Sequence, residues 1–136
     1  QLKMPNYISK ATSINDDYVC IVVPSGLLGD KKIKAVEVIP GNYQTVHHAL
    51  IYKADAGSHQ TDTSGFCGSP QGTTGAELIA GYTPGATPTV FPSGGSFKSG
   101  ITLNSGDDII FSMHYPIGSA GQLDSTKVNF YFYPGV

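Results

Sequence analysis

Two adjacent histidines, His47 and His48, stand inside an otherwise apolar run, VHHALIY at 46–52, and His114 stands in a second strand-like run, FSMHYP at 111–116. The chain holds four histidines, so these two runs contain all but His59. Neutral imidazole is the commonest metal-ligating side chain, and three of them converging on one point form a mononuclear metal site. That outcome makes two demands on the fold. His114 must be brought beside the pair, and the strand must be irregular at 47–48, through a bulge or a twisted start, because successive side chains of a regular strand point to opposite faces. The alternative, a half-buried strand histidine with one satisfied hydrogen bond, stays open for each of the three.

Counting by two along the second run, Ile109, Phe111, Met113 and Tyr115 share one face, and Asp108, Ile110, Ser112 and His114 share the other, more polar one. His114 therefore points away from the greasier face, where it is placed to bind something at the surface. Three neutral imidazoles suit Cu, Zn and Ni, and at equal availability Cu(II) binds more tightly than Zn(II). Three histidines with an open position are also a hydrolytic zinc geometry, in which bound water reaches a pKa of about 7. Against hydrolysis, no clear general base stands beside the histidines, since Lys53 and Asp55 read as solvated strand-end residues. His59 falls in a long loop and is expected at the solvent. Met113 is expected in the core and Met4 in a polar lead-in, neither as a thioether ligand. The Tyr131/Tyr133 stripe is expected on the sheet surface, or under a further domain.

The elements that must position these residues are short. With 136 residues, 40% hydrophobic, 13% charged, 17 Gly and 9 Pro, the chain suits one domain burying roughly two-thirds of its unfolded surface. A net charge of −2, with no basic run longer than Lys31-Lys32, argues against nucleic acid and anionic membranes as partners. No signal peptide or long apolar segment is present, and a start at Gln1 is expected of a mature product or an excised piece of a longer precursor. Cys20, in an apolar run, and Cys67, in a Gly/Ser-rich loop, are compatible with one disulfide in an oxidising compartment or with two unrelated thiols.

No window of twelve or more residues has a convincing helical period. After a polar lead-in over 1–15 come β-branched and aromatic runs at 17–23, 33–39 and 46–52, then a long loop, 54–75, that is either a binding loop or one that needs a staple. Further runs follow at 76–82, 89–92, 108–115 and 127–133, the last alternating Val128, Phe130, Phe132 against Lys127, Asn129, Tyr131. About eight or nine short strands without crossover helices predict an all-β fold, a two-layer antiparallel β-sandwich of jelly-roll type.

The succession YVC, VHHALIY, the Cys67 loop, AGYTPGATPTVFP, FSMHYPIG and DSTKVNFYFYP resembles, in the same order over most of the chain, the N-terminal domain of the copper type II ascorbate-dependent monooxygenases. This is the family of peptidylglycine α-hydroxylating monooxygenase and dopamine β-hydroxylase, and the resemblance is greatest to bacterial members, some fused to cytochrome c domains. It implies one of two β-sandwich domains, each with one copper. His47, His48 and His114 would hold the electron-transfer copper, with ascorbate or another donor as reductant, and Cys20 and Cys67 would match a family disulfide. Ala54 stands where animal members have another cysteine, and Ser112 where one has a glutamine. The oxygen-binding copper of the second domain needs a His-x-His pair and a methionine. This chain has no His-x-His, so 1–136 alone is expected not to hydroxylate. The resemblance also implies a second copper domain or a cytochrome c domain as partner, and the cysteines with the start at Gln1 lead to the expectation of a secreted, periplasmic or cell-surface protein. The competing expectation is a non-catalytic secreted sandwich, an interaction module with vestigial or zinc-binding histidines.

Overall fold

A computed structural model describes residues 1–68 and 75–135, so positions 69–74 of the long loop lie outside the described residues. In chain order the strands are β1 (Leu2–Lys3), β2 (Tyr7–Ile8), β3 (Asp17–Pro24), β4 (Lys31–Ile39), β5 (His48–Ala54), β6 (Asp62–Gly65) and β7 (Ala76–Tyr82). They continue as β8 (Thr89–Val90), β9 (Ser93–Gly94), β10 (Phe97–Lys98), β11 (Ile101–Leu103), β12 (Asp108–Tyr115), β13 (Leu123–Asp124) and β14 (Lys127–Phe132). Eight of these have three or more residues, the number expected, and the others are two-residue pairings. No helix occurs among the described residues.

Two five-stranded antiparallel sheets form the sandwich. One runs β6-β3-β12-β5-β7; the other runs β1-β14-β4-β11, with β8 added on β4. Alternation decides which faces meet. From the first sheet Val19, Ile21, Ala49, Ile51, Ile109, Phe111, Met113 and Tyr115 enter the core, and from the second Ile33, Val36, Leu103 and Val128. The face counted as greasy in β12 is therefore the core face.

β12 is the central strand of its sheet, paired along its length with β3 on one side and β5 on the other. Its second face is not open, as expected from its polarity, but covered: Ile110 is 1% and His114 8% exposed. Cys20, Tyr52, Ala54 and Ile110 make a small apolar cluster there, with Cys67 against it. The Cys20–Cys67 disulfide, with Cα atoms 6.0 Å apart, fastens the segment after β6 to β3 on this face.

The lead-in differs from expectation as well. β1 pairs with β14, β2 pairs with β13, and Met4 is buried in the core between them. Tyr131 is half-exposed as a surface residue should be, but Tyr133 is buried within its own chain, where its hydroxyl donates to the Ser99 carbonyl at 2.7 Å.

Candidate metal centre

The register of three strands places two of the three histidines. His48 on β5 stands directly opposite His114 on β12, and Tyr18 on β3 stands opposite His114 from the other side. Directly opposed residues of antiparallel strands project on the same face, within contact distance. The Tyr18 ring accordingly stacks on the His114 imidazole, with centroids 4.4 Å apart and planes 5° from parallel.

His47 arrives by a different route. Pro40 and Gly41 end β4, and Gly41 passes so close to β13 that a Cβ there would lie 2.6 Å from the Ser125 nitrogen. The next residue, Asn42, donates its backbone N–H to Asp124 at 3.0 Å, and its carbonyl accepts the N–H groups of Thr45 and Val46 at 3.1 Å. This turn delivers His47 outside the ladder, its N–H donating to the His114 carbonyl at 3.1 Å, and β5 begins only at His48. The irregularity that two adjacent ligands require is this turned start of the strand.

The result is a convergence of one nitrogen type. Nδ1 of His48 lies 3.1 Å from Nδ1 of His47 and 3.2 Å from Nδ1 of His114. A ring nitrogen carries either one lone pair or one proton, so His48 Nδ1 cannot make a full hydrogen bond to both neighbours. One cation shared by the three lone pairs removes the conflict. These two separations are those of imidazole nitrogens about 2.0–2.1 Å from a common ion at angles near 100°, and the ligand atoms of all three histidines lie within 4.8 Å of one another. His47 is exposed, His48 intermediate and His114 buried, which leaves the centre open on the His47 side. Burial first, then the neighbouring His114 and His47 rings, lower the pKa of His48 and favour the neutral form that can ligate.

Two residues around the centre carried no signal in the sequence. Asp16 Oδ2 lies 2.9 Å from His114 Nε2, and its Oδ1 accepts the Ile117 N–H at 2.7 Å. The hydrogen bond from His114 is the main cause that holds the Asp16 carboxyl below its usual range. Tyr18 is the second, and only the β3–β12 register reveals its place over the ring.

The remaining candidates fall elsewhere. His59 is not in the group, and its Nδ1 lies 2.8 Å from Ser58 Oγ. Lys53 stands opposite Ile109, at the far end of the ladder from His114, and is tied down rather than solvated: Nζ donates to the Thr102 carbonyl at 2.7 Å and approaches Glu77 at 3.6 Å. Asp55 accepts the Ser58 N–H through its carbonyl in the turn after β5. Met113 and Met4 are both core residues.

Fold and site together define a β-sandwich with a three-histidine group, able to hold a metal ion, at one end of its β3-β12-β5 ladder. No protein-family model matches the chain, and no curated protein matches it in sequence.

Proposed function

We propose that the chain is a copper-binding electron-transfer domain, with one copper ion held by His47, His48 and His114 and cycling between Cu(II) and Cu(I). The observation that carries this is the three-histidine group itself, with Nδ1 of His48 3.1 Å from that of His47 and 3.2 Å from that of His114, all three ligand atoms within 4.8 Å of one another and one side open. A ligand set of imidazoles alone, with no carboxylate among them, favours Cu over the harder divalent ions. The resemblance of the ordered motifs to the N-terminal domain of the copper type II monooxygenases points to the same assignment. Hydrolytic zinc chemistry is less well served. The carboxylate beside the group, Asp16, spends its oxygens on His114 Nε2 and the Ile117 N–H, on the ring edge away from Nδ1.

Under this proposal the ion that His47, His48 and His114 would hold would supply one-electron redox chemistry, with ascorbate or another small donor as reductant and a second copper domain or a cytochrome c domain of a longer protein as the electron acceptor. A disulfide belongs to an oxidising compartment, which fits a secreted, periplasmic or cell-surface setting. One observation favours a second reading, an interaction module with zinc or no metal. Ile14, Phe66 and Ile117 are exposed hydrophobics whose chain segments flank Asp16 and Tyr18. Titration with Cu(II) followed by electron paramagnetic resonance separates the two: one equivalent giving a type 2 spectrum with nitrogen hyperfine structure supports the copper domain. Failure to saturate at one ion supports the module.

A further inference from the structure

An imidazole can ligate through either nitrogen, and the edge that turns to the ion is set by what holds the other. At His114 the structure supplies that holder. Asp16 Oδ2 stands 2.9 Å from Nε2, at a pair whose side chains are 30% and 10% exposed. The carboxylate is itself fixed: Oδ1 accepts the Ile117 N–H at 2.7 Å, so the segment that follows His114 holds the acid that orients the ring. An ionised carboxylate only accepts, so the proton between the two groups resides on Nε2, and Nδ1 is left with its lone pair. That lone pair lies 3.2 Å from Nδ1 of His48, inside the three-histidine group.

Resting on the metal-centre reading above, we infer that Asp16 is a positioning residue of the centre: it fixes His114 as the Nε2–H tautomer, turns Nδ1 to the ion, and makes this imidazole the most electron-donating of the three ligands. His47 and His48 have no carboxylate among their hydrogen-bond partners in the described structure, so the electrostatic asymmetry of the centre originates at Asp16. An anion behind one ligand stabilises the higher charge state of a bound redox metal. For copper this favours Cu(II) over Cu(I), and removing the anion moves the midpoint potential to more positive values.

The test compares the wild-type chain with Asp16→Asn and Asp16→Ala, with His59→Ala as a control outside the group. Cu(II) affinity, the paramagnetic resonance spectrum and the midpoint potential are measured for each. Asp16→Ala is expected to bind Cu(II) roughly 10- to 100-fold more weakly, with altered nitrogen hyperfine coupling and a more positive potential, while His59→Ala matches the wild type. Asp16→Asn, which keeps an acceptor but not the charge, should retain more affinity than Asp16→Ala and still shift the potential positively. If the wild type binds copper at one equivalent and both Asp16 variants reproduce its affinity, spectrum and potential, the positioning role is overturned and the metal centre stands. If the wild type binds neither Cu(II) nor Zn(II), the centre itself is overturned and this role with it. Nitrogen-15 spectra of the Zn(II)-loaded wild type give a test independent of variant folding: His114 protonated at Nε2 and metallated at Nδ1 supports the inference, and the reverse assignment overturns it.

Discussion

Tyr115, the residue after His114, donates its hydroxyl to Asp124 Oδ2 at 2.8 Å in a fully buried contact. The same carboxylate accepts the Thr126 hydroxyl at 2.8 Å, and its other oxygen accepts the Asn42 N–H at 3.0 Å. One buried acid thus ties the turn that delivers His47 to the strand that carries His114. Asp124→Ala would strand two buried hydroxyls and one part-buried N–H. At about 1–3 kcal/mol for each unsatisfied group, relieved in part by water, a loss of roughly 3 kcal/mol in urea unfolding is expected. Metal affinity should fall in the same variant, because both ligand segments loosen. Tyr115→Phe, which leaves Thr126 and Asn42 on the carboxylate, should cost less.

Alkaline pH should unfold the protein through two phenols. Burial, followed by the charge and hydrogen bond of Asp124, raises the pKa of Tyr115, and burial with the Asp17 hydrogen bond raises that of Tyr7. The rings also stack, with centroids 5.4 Å apart. With folded-state pKa values above the unfolded value of about 10, the stabilisation is complete below pH 10 and is lost as pH climbs, because the unfolded chain releases its protons first. The slope is at most about 1.4 kcal/mol per pH unit for a buried group and smaller for the partly exposed Tyr7. Denaturant midpoints between about pH 9 and 11 check this, and Tyr115→Phe should flatten the fall.

His114→Ala should weaken Cu(II) binding far more than His59→Ala, since only the first removes a member of the group. Equal losses in a competition titration would sink the ligand assignment. Affinity should also decline as pH falls through about 6.5, where unbound imidazoles take up protons. The lowered pKa of His48 delays its protonation, so protons displace metal from this ligand only at lower pH than from an ordinary imidazole. Affinity that stays flat from about pH 8 to 5 would point to ligands other than imidazole.

Breaking the Cys20–Cys67 link frees a loop with a sequence separation of 47. The chain-entropy model assigns about 4 kcal/mol to a closure of that length. Cys20→Ser/Cys67→Ser should therefore lower the unfolding free energy by roughly 3–4 kcal/mol in calorimetry or urea titration. Residues 62–67 lie along β3, with the Cys67 N–H donating to the Tyr18 carbonyl at 3.1 Å, so the reduced chain should also lose some order in the Tyr18 ring over His114.

Residues 1–136, loaded with copper, should cycle with ascorbate yet leave peptide and phenethylamine substrates unchanged. The three-histidine group takes up all the histidines except His59, which cannot build an oxygen-activating site alone. Mass spectrometry after incubation with ascorbate and oxygen measures this directly. A copper-dependent, stereospecific hydroxylated product at catalytic turnover would overturn the electron-transfer assignment.

The strands of this protein are legible residue by residue, because side-chain alternation is a local property. Ile109, Phe111, Met113 and Tyr115 read as one face and are one face, and the β-branched run at Val19, Ile21 and Val22 reads as a strand and is one. The three histidines could also be picked out as candidates, since two adjacent imidazoles in an apolar run ask for a reason. Their meeting is implied only by the family resemblance and is not legible in the residues themselves. It depends on β12 lying between β3 and β5 in the register that sets His114 opposite both His48 and Tyr18, and register is a matter of matching apolar faces between segments far apart in the chain. The same holds for the start of β5 at His48, which follows from the Asn42–Asp124 tether, and for Asp16, which reaches His114 across 98 positions of sequence. Met4 in the core and the covered face of β12 belong to this class too. Each depends on which surface comes to lie over another, which local periodicity does not encode and the packing of two sheets decides.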